Sequence, residues 1–510
     1  MNWSHYDSRE LRRTALPAMA LAALAFSSTG FAIDQSGEQL NMERVGHTDL
    51  QGRSSYQPNV ITYPDGRVIV FAGTHNGSAT NPFTGKVENN GTLIIDVTDP
   101  ANPVEKAHIP QTDGQSQSVR MCLARDMPFG SANPQNTIAD HFKVYMLRNI
   151  GTGYETWDVT NVSAPVKLAD VRGISSSHKM WWECSTGLLY APGSRTADAW
   201  RQTQSMLIYD WKNPKAAPIY IRTFGLPGGQ PGATGPIPVS LHGPISARDH
   251  PQAFRPLTRA GSPADVVGNR LYLAYGVGDD GVLQILDRSK LLPAAYGGTW
   301  TGSASTPTDA ELRAPQVGIL NMSTDQGGHT SFPIFGMTPQ SYESFTEFQT
   351  RDILLLASEA TSDRCAEAPH WSFVVDITTE SKPMVLSTMA VDPRAGEKYP
   401  RGNYCKRGAR FGVHSSEENF TNPYYSRVTF LAYFTGGVRA WDIREPQTPK
   451  EVGFYVPVTN ANTTANGYMT NNVEVDDDGY IYVVDRNGAG LDILRLTGDA
   501  RRIALGLPVR

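Results

Sequence analysis

The sequence lacks the short motifs that identify several common classes of enzyme. It contains no GxSxG nucleophile elbow and no phosphate-binding loop. It has only 4 cysteines among 510 residues, and none of them forms the CxxC pair of zinc ribbons and thioredoxin-like sites. The formal net charge is only −5, which argues against a basic surface for nucleic acid or anionic lipid. We therefore predict no nucleic-acid partner.

Long apolar runs are also scarce. The N-terminal stretch Ala15–Phe26 (ALPAMALAALAF) is apolar, but it is too short to cross a bilayer. Three arginines precede it and Gly30-Phe31-Ala32 follows it, so the segment has the charged, apolar and small-residue regions of a secretory signal peptide. We predict that residues 1–32 are cleaved and that residues 33–510 form a mature protein without a membrane span, in the periplasm or secreted.

Two export routes fit this N-terminus. Arg12-Arg13 followed by Leu16 resembles a twin-arginine signal, but Ala15 stands where that signal usually has a bulky residue. We therefore favour Sec export. The distinction matters because the twin-arginine route carries folded proteins that often already hold a cofactor.

One pattern recurs seven times along the chain. It consists of an apolar run, an aspartate, a short polar turn that often contains proline, and a second β-like run, as in GTLIIDVTDPANPVEKAHI. The apolar run predicts a buried strand, and the aspartate can accept backbone N–H groups in the turn that follows. The repeated aspartates are Asp96, Asp158, Asp210, Asp287, Asp376 and Asp442, and Arg495 takes the same place in the last copy.

Each copy predicts a four-stranded antiparallel meander that can bury its faces only against neighbouring copies. Seven such sheets that close on themselves leave no long exposed edge. We therefore predict an all-β fold, a seven-bladed β-propeller in a single domain, with an open β-solenoid as the alternative. Leu40–His47 and Arg501–Leu507 are both predicted to be outer strands, and which of them completes the last blade stays open.

The repeats also resemble a known family. The segments GTLIIDVTDPANPVEKAHIP at 91–110 and GVRAWDIREPQTPKEVGFYVP at 437–457 are similar to the LVIVD repeats of bacterial β-propeller proteins. The resemblance extends over nearly all of the mature chain, although the fourth, fifth and seventh copies are degenerate. It implies the propeller fold and says little about activity, because one fold hosts many functions.

The four cysteines are predicted to form two disulfide bonds, because an even number in an oxidising compartment favours pairing. Cys365 and Cys405 fall within one interval between repeats, so we pair them with each other. Cys122 and Cys184 are the remaining pair.

Four histidines share one position in consecutive repeats. Each lies where the innermost strand of a blade is expected to begin, so a propeller would bring the four side chains to its axis at one end. Imidazole is the commonest metal-binding side chain and suits copper, iron and zinc. We therefore predict a transition-metal site formed by His178, His242, His329 and His414. The alternative is a structural role, in which each ring bonds to backbone at the mouth of the channel.

Two acids near these histidines are candidates for supporting the site. Glu183 and Glu418 are placed to orient the ring nitrogens from behind, and Glu418 is the candidate catalytic residue, as a proton carrier. Trp181, Trp182 and Phe332 are candidates for walls that exclude water. Packing between blades is the alternative for all three, and we favour it for Trp182.

The other repeats break the histidine pattern. They offer Asn59, Arg120 and Asn472 at about the same place, and a ring with such polar and cationic members could also receive an anionic substrate. For the remaining histidines of the mature chain we predict surface or packing roles; these are His47, His75, His108, His141, His250 and His370.

Two functions fit these features. The first is a periplasmic metal-dependent oxidoreductase that acts on a small-molecule substrate at open coordination positions. The second is a non-catalytic propeller that binds an envelope protein or a polysaccharide through its insertion loops at 226–238 and 293–317. In either case we predict a monomer. Metal content after purification without chelators distinguishes the two.

Overall fold

The structure is a computed structural model that describes residues 38–464 and 467–508. The predicted signal peptide lies outside the described residues. Strands dominate, with 41% of the described residues in strands against 9% in helices, so the prediction of an all-β class is confirmed.

The strands are short and follow one another closely along the chain. In chain order they are β1 (Gln39–Leu40), β2 (Met42–Thr48), β3 (Ser55–Thr62), β4 (Val68–Thr74), β5 (Ser78–Asn81), β6 (Lys86–Asn89), β7 (Gly91–Asp96), β8 (Val104–Pro110), β9 (Val119–Leu123), β10 (Val144–Ile150), β11 (Gly153–Asp158), β12 (Val166–Arg172), β13 (Ile174–Ser175), β14 (Trp181–Trp182), β15 (Leu188–Arg195), β16 (Ser205–Asp210), β17 (Ile219–Phe224), β18 (Leu241–Ser246), β19 (Arg270–Tyr275), β20 (Val282–Asp287), β21 (Gln316–Asn321), β22 (Thr330–Met337), β23 (Arg351–Ala357), β24 (Ser372–Asp376), β25 (Met384–Met389), β26 (Phe411–Ser416), β27 (Val428–Phe434), β28 (Val438–Asp442), β29 (Lys450–Tyr455), β30 (Thr470–Val475), β31 (Ile481–Asp485) and β32 (Leu491–Leu496).

Helices are few and short. The α-helices are α1 (Arg288–Leu291), α2 (Asp309–Arg313) and α3 (Gly498–Ala504), and the 3-10 helices are Leu50–Gly52, Ala124–Asp126, Ile138–Asp140, Val267–Asn269, Ala294–Tyr296, Gln340–Tyr342, Pro393–Lys398 and Tyr404–Lys406. Among the described residues, none of these helices has the length and apolar character needed to cross a membrane.

Neighbouring strands pair antiparallel in groups of four. The pairing orders are β3-β4-β7-β8, β9 to β12, β18 to β21, β22 to β25, and β26 to β29. In a further group β15, β16 and β17 follow one another and both β13 and β14 pair with β15. In the last group β30, β31 and β32 are completed by β2, so the N-terminal strand fills the outer position beside the C-terminal strand.

The chain ends in a helix where a strand was predicted. Residues 501–507 were expected to form an outer strand, but α3 covers most of this segment. Ala500, Ile503 and Ala504 are buried and pack on the last sheets, and this spacing of three and four residues matches one face of a helix. The prediction of a strand here is therefore wrong, because so short a segment does not distinguish the two periods.

The repeated aspartates occupy one structural position. Each of the six ends the third strand of its group, as Asp96 ends β7 and Asp158 ends β11. Each also accepts the backbone N–H of the residue two places later, at 2.8–3.1 Å. After five of the aspartates this contact lies in the turn that leads to the fourth strand, as the repeat predicts, whereas Asp287 caps α1 instead.

The core lies between the faces of neighbouring sheets. The second strand of a group is buried almost throughout, as in β10 and β27, whose seven residues are all buried. Apolar side chains on both faces explain why these strands are continuous hydrophobic runs in the sequence. Each fully buried Leu, Ile or Val contributes roughly 1.5–3 kcal/mol, so the packed sheets hold the first strands of the groups in fixed positions.

Both predicted disulfides are present. Cys122 in β9 is bonded to Cys184, which follows β14, so this bond ties two neighbouring sheets together. Cys365 is bonded to Cys405 and fastens two long loops that lie beside β26.

Candidate functional site

The four predicted histidines come from four successive sheets and lie side by side. His242 is the second residue of β18, and His414 is the fourth residue of β26. His329 immediately precedes β22, and His178 lies three residues before β14. All four therefore lie in or just before the first strand of a sheet, and their side chains meet in one layer.

The rings form a continuous chain of contacts. The Nε2 atoms of His178 and His242 are 2.9 Å apart. The ring centroids of His242 and His329 are 3.9 Å apart, and those of His329 and His414 are 4.2 Å apart. Rings in such contact are close enough for several nitrogens to reach one ion, since zinc–imidazole bonds are about 2.0–2.1 Å long.

Backbone carbonyl groups fix the orientation of two of the rings. His414 Nδ1 donates to the carbonyl of Asn471 at 2.6 Å, and His242 Nδ1 donates to the carbonyl of His329 at 3.2 Å. Each ring therefore keeps the lone pair of Nε2 for the interior of the cluster. His414 Nε2 is buried and has no hydrogen-bond partner among the described residues.

All four rings are held in the neutral form that binds metals. Burial lowers the pKa of His178 to about 3, with the Lys179 charge as the next cause. Burial also lowers the pKa of His242, His329 and His414 well below the usual value. A neutral imidazole retains the lone pair that a metal requires.

Two residues that the sequence analysis did not single out complete the cluster. The Tyr56 hydroxyl lies 3.1 Å from His329 Nε2 and 3.5 Å from His178 Nε2. Glu359 lies with its carboxylate 3.8 Å from His329 Nε2 and 3.7 Å from His414 Nε2. Among the described residues, His242, His329 and Glu359 offer ligand atoms that all lie within 4.8 Å of one another.

The reasons for missing these two residues differ. Tyr56 is the second residue of β3 and takes in the first sheet the place that the histidines take in later sheets, whereas the repeat alignment pointed to Asn59. Glu359 follows β23, a second strand, so no comparison of first strands could find it. Arg410 Nη1 donates to the Glu359 carboxylate at 2.9 Å and fixes its position.

Glu418, the predicted proton carrier, lies in a layer of charged residues next to the histidines. It is buried and forms ion pairs with Arg120 and Lys179. Lys179 Nζ donates to Thr330 Oγ1 at 3.1 Å, and Thr330 Oγ1 lies 2.8 Å from His329 Nδ1. The carboxylate is therefore connected to a histidine through two side chains rather than by direct contact.

Glu183, the other predicted supporting acid, has different partners. It is buried and accepts two hydrogen bonds from Arg288, at 3.0 and 2.9 Å, and one from Ser246 at 2.6 Å. None of these partners is a histidine of the cluster.

The aromatic residues that were candidates for walls all take part in packing, and Trp181 and Trp182 also line a cavity. Trp182 belongs to a core cluster that also contains Cys122 and Tyr145, residues of the preceding sheet. Phe332 stacks on Phe420 with ring centroids 5.0 Å apart. The guanidinium of Arg120 lies over the Trp181 ring, 4.3 Å from the ring centroid.

A cavity of about 620 Å³ adjoins the charged layer. Its lining includes Arg120, Trp181, Glu418 and Glu474, together with Asn59 from the first sheet. Two of the residues predicted to complete the histidine ring, Asn59 and Arg120, therefore face this cavity. Asn472, the third, has its side-chain amide 2.8 Å from that of Asn471 and 3.1 Å from His414 Nδ1.

The other histidines lie outside the chain of four rings. His75 is the nearest, because its ring centroid is 5.2 Å from that of Tyr56. His47, His108 and His250 are hydrogen-bonded to Asp492, Glu88 and Tyr425, respectively.

Comparisons with known proteins add little to these observations. No protein-family model matches the chain, and no curated protein matches it. A solved structure described as the Dos1 propeller aligns with a TM-score of 0.42 at 9% identity, over 90% of this chain and 96% of that one. The crystal structure of a protein from Lactobacillus plantarum aligns with a TM-score of 0.36 at 11% identity, over 66% of this chain and 71% of that one. The resemblance to LVIVD repeats stays a prediction that depends on the repeat residues.

Proposed function

We propose that the chain is an exported seven-bladed β-propeller that binds a transition metal through His178, His242, His329 and His414. The metal is copper, iron or zinc, and the protein acts as a metal-dependent oxidoreductase on a small-molecule substrate. It works as a monomer in the periplasm or outside the cell. The pairing of strands in groups of four and the completion of the last group by β2 support the propeller, and two disulfides are compatible with export.

The observation that carries the proposal is the contact between four neutral imidazoles in a buried layer. Burying unpartnered polar atoms is unfavourable, yet His414 Nε2 is buried without a partner among the described residues. Two backbone carbonyls hold rings in the tautomer that directs Nε2 inward. A bound ion would satisfy the lone pair of His414 Nε2, whereas four rings with only structural roles have no need to touch.

Glu418 has a supporting role in this proposal. It is linked to His329 Nδ1 through Lys179 and Thr330. This series of side chains can position the His329 ring and pass a proton between the cavity side and the histidine layer. Glu359 is a further ligand candidate, because its carboxylate is near two Nε2 atoms.

The experiment is metal analysis of the mature protein purified without chelators. We expect one equivalent of a transition metal in the wild type and clear loss in His242→Ala and His329→Ala. His250→Ala is the matched control, since His250 is also buried but contacts Tyr425 instead of the cluster. Wild-type protein that stays metal-free after incubation with copper, iron and zinc would contradict the metal centre and would favour the non-catalytic binding module. The intact mass of the expressed protein tests export, and we expect it to show cleavage after Ala32.

A further inference from the structure

The Tyr56 hydroxyl lies among the histidine nitrogens at ligand spacing. We propose that Tyr56 Oη is a ligand of the same metal, which makes the centre a histidine–tyrosinate site. The hydroxyl proton is released to solvent as the metal–oxygen bond forms. This proposal rests on the metal centre proposed above. It names an additional ligand and restricts the class of metal.

The distances fit shared coordination. Two atoms that each lie about 2.0–2.1 Å from one ion are roughly 3–3.5 Å apart at the angles of common coordination geometries. Tyr56 Oη is 3.1 Å from His329 Nε2 and 3.5 Å from His178 Nε2. The spacing from the hydroxyl to these nitrogens is therefore the same as that expected between ligands.

The hydrogen bonding of Tyr56 leads to the same conclusion. Tyr56 is buried, and its hydroxyl has the Nε2 atoms of His178 and His329 as partners. If those nitrogens bind a metal, their lone pairs are no longer available to the hydroxyl. A buried hydroxyl without a partner is unfavourable, and coordination of Oη to the same ion removes that problem.

The surroundings hold the tyrosine in place. The Asn471 side chain donates to the Tyr56 carbonyl at 2.9 Å, and the Asn471 carbonyl accepts from His414 Nδ1. One residue of β30 thus fixes both Tyr56 and His414. The Tyr56 ring also contacts His178 and His414, with centroids 5.3 and 5.5 Å away, so it lies against both ends of the chain of histidines.

A tyrosinate ligand selects the metal. Phenolate is a hard, anionic oxygen donor, and hard donors favour hard or oxidised ions over soft ones such as Cu(I). With imidazole as the other ligand type, the site fits Fe(III) or Cu(II). Both ions give a visible phenolate-to-metal charge-transfer band, which a zinc site cannot give.

The test uses Cu(II) as the probe, because copper binds most tightly of the divalent first-row ions to a given site. Wild type, Tyr56→Phe and Tyr272→Phe are titrated with Cu(II) against a competing chelator, and absorption and resonance Raman spectra are recorded. Tyr272 is the control, since its hydroxyl is also buried and has no hydrogen-bond partner among the described residues. It lies in a different core cluster.

We expect a visible band with phenolate ring modes in the wild type and in Tyr272→Phe. Tyr56→Phe should lose both and bind Cu(II) at least about tenfold more weakly, because loss even of a residue that only supports a ligand costs on the order of 10- to 100-fold in affinity.

Two other results would overturn the proposal in distinguishable ways. Stoichiometric Cu(II) without phenolate modes in the wild type removes Tyr56 as a ligand and leaves the histidine centre intact. No stoichiometric Cu(II) in the wild type removes both. The Raman spectrum of the wild type alone decides the matter if Tyr56→Phe does not fold.

Discussion

Replacing Glu474 by Gln should make the protein less sensitive to alkaline pH. Glu474 lies in β30, is buried, and lines the cavity beside the charged layer. Burial raises its pKa from 4.5 to about 8, and the charge of Glu418 adds to the shift. Its carboxylate accepts the Val475 N–H at 3.3 Å, a contact that the carbonyl oxygen of glutamine can keep.

The sign of the effect follows from the direction of the shift. Because the pKa is raised in the folded state, the folded protein binds more protons than the unfolded chain between pH 4.5 and about 8. The stability associated with this group is fully present below pH 4.5 and is lost as the pH rises through about 8. The free energy of unfolding therefore falls by about 1.4 kcal/mol per pH unit for one proton, or by roughly 4–5 kcal/mol over the whole pH window.

The assay is urea unfolding of wild type and Glu474→Gln at pH 5, 6, 7 and 8. The variant should become more stable relative to the wild type by about 1.4 kcal/mol with each unit. Glu343→Gln is the control, because it makes the same substitution at an exposed position. A flat difference for Glu474→Gln would refute the inference that this carboxyl is protonated in the folded protein.

Three further predictions concern the scaffold and the charged layer. Replacing Cys365 and Cys405 by Ser opens a loop with a sequence separation of 40 and should lower the free energy of unfolding by about 4 kcal/mol. Thermal unfolding measures the loss, and wild-type protein treated with reductant should lose at least as much stability. Asp96→Ala removes the acceptor for a turn N–H and should cost about 1 kcal/mol in urea unfolding, whereas no measurable loss would contradict a role of this side chain in the turn. Lys179→Met leaves Glu418 with one cationic partner and should lower the free energy of unfolding by up to about 3 kcal/mol. Adding Glu418→Gln should recover part of that loss. Purely additive effects in the double variant would contradict an interaction between Lys179 and Glu418.

The repeat pattern predicted the residues that recur at one register, and it missed the residues that come together only through packing between sheets. The aspartates recur at one register of the repeat, and the histidines recur at another. The same register in successive sheets brings the members of each set to equivalent positions, so these positions could be predicted. Tyr56 belongs to the histidine layer but differs in residue type, and its match was assigned to Asn59. Glu359 reaches the histidines from the end of a second strand, a contact that only the packing of neighbouring sheets creates.

The acids illustrate the same limit. Glu183 and Glu418 are both near a histidine in sequence or register, but Glu183 pairs with Arg288, which lies 105 residues away in the chain. Glu418 pairs with Arg120, 298 residues away. Buried charges take whichever opposite charge the fold brings to them, so their partners cannot be read from spacing. The orienting groups of two histidines are backbone carbonyls, for which the side-chain sequence carries no signal.

The most direct test of the account is a crystal structure of the metal-loaded protein with anomalous data collected at the metal's absorption edge. We expect one anomalous peak within about 2.0–2.2 Å of Nε2 atoms contributed by His178, His242, His329 and His414. No peak in this layer at full metal occupancy, or an ion held by other residues, would contradict it.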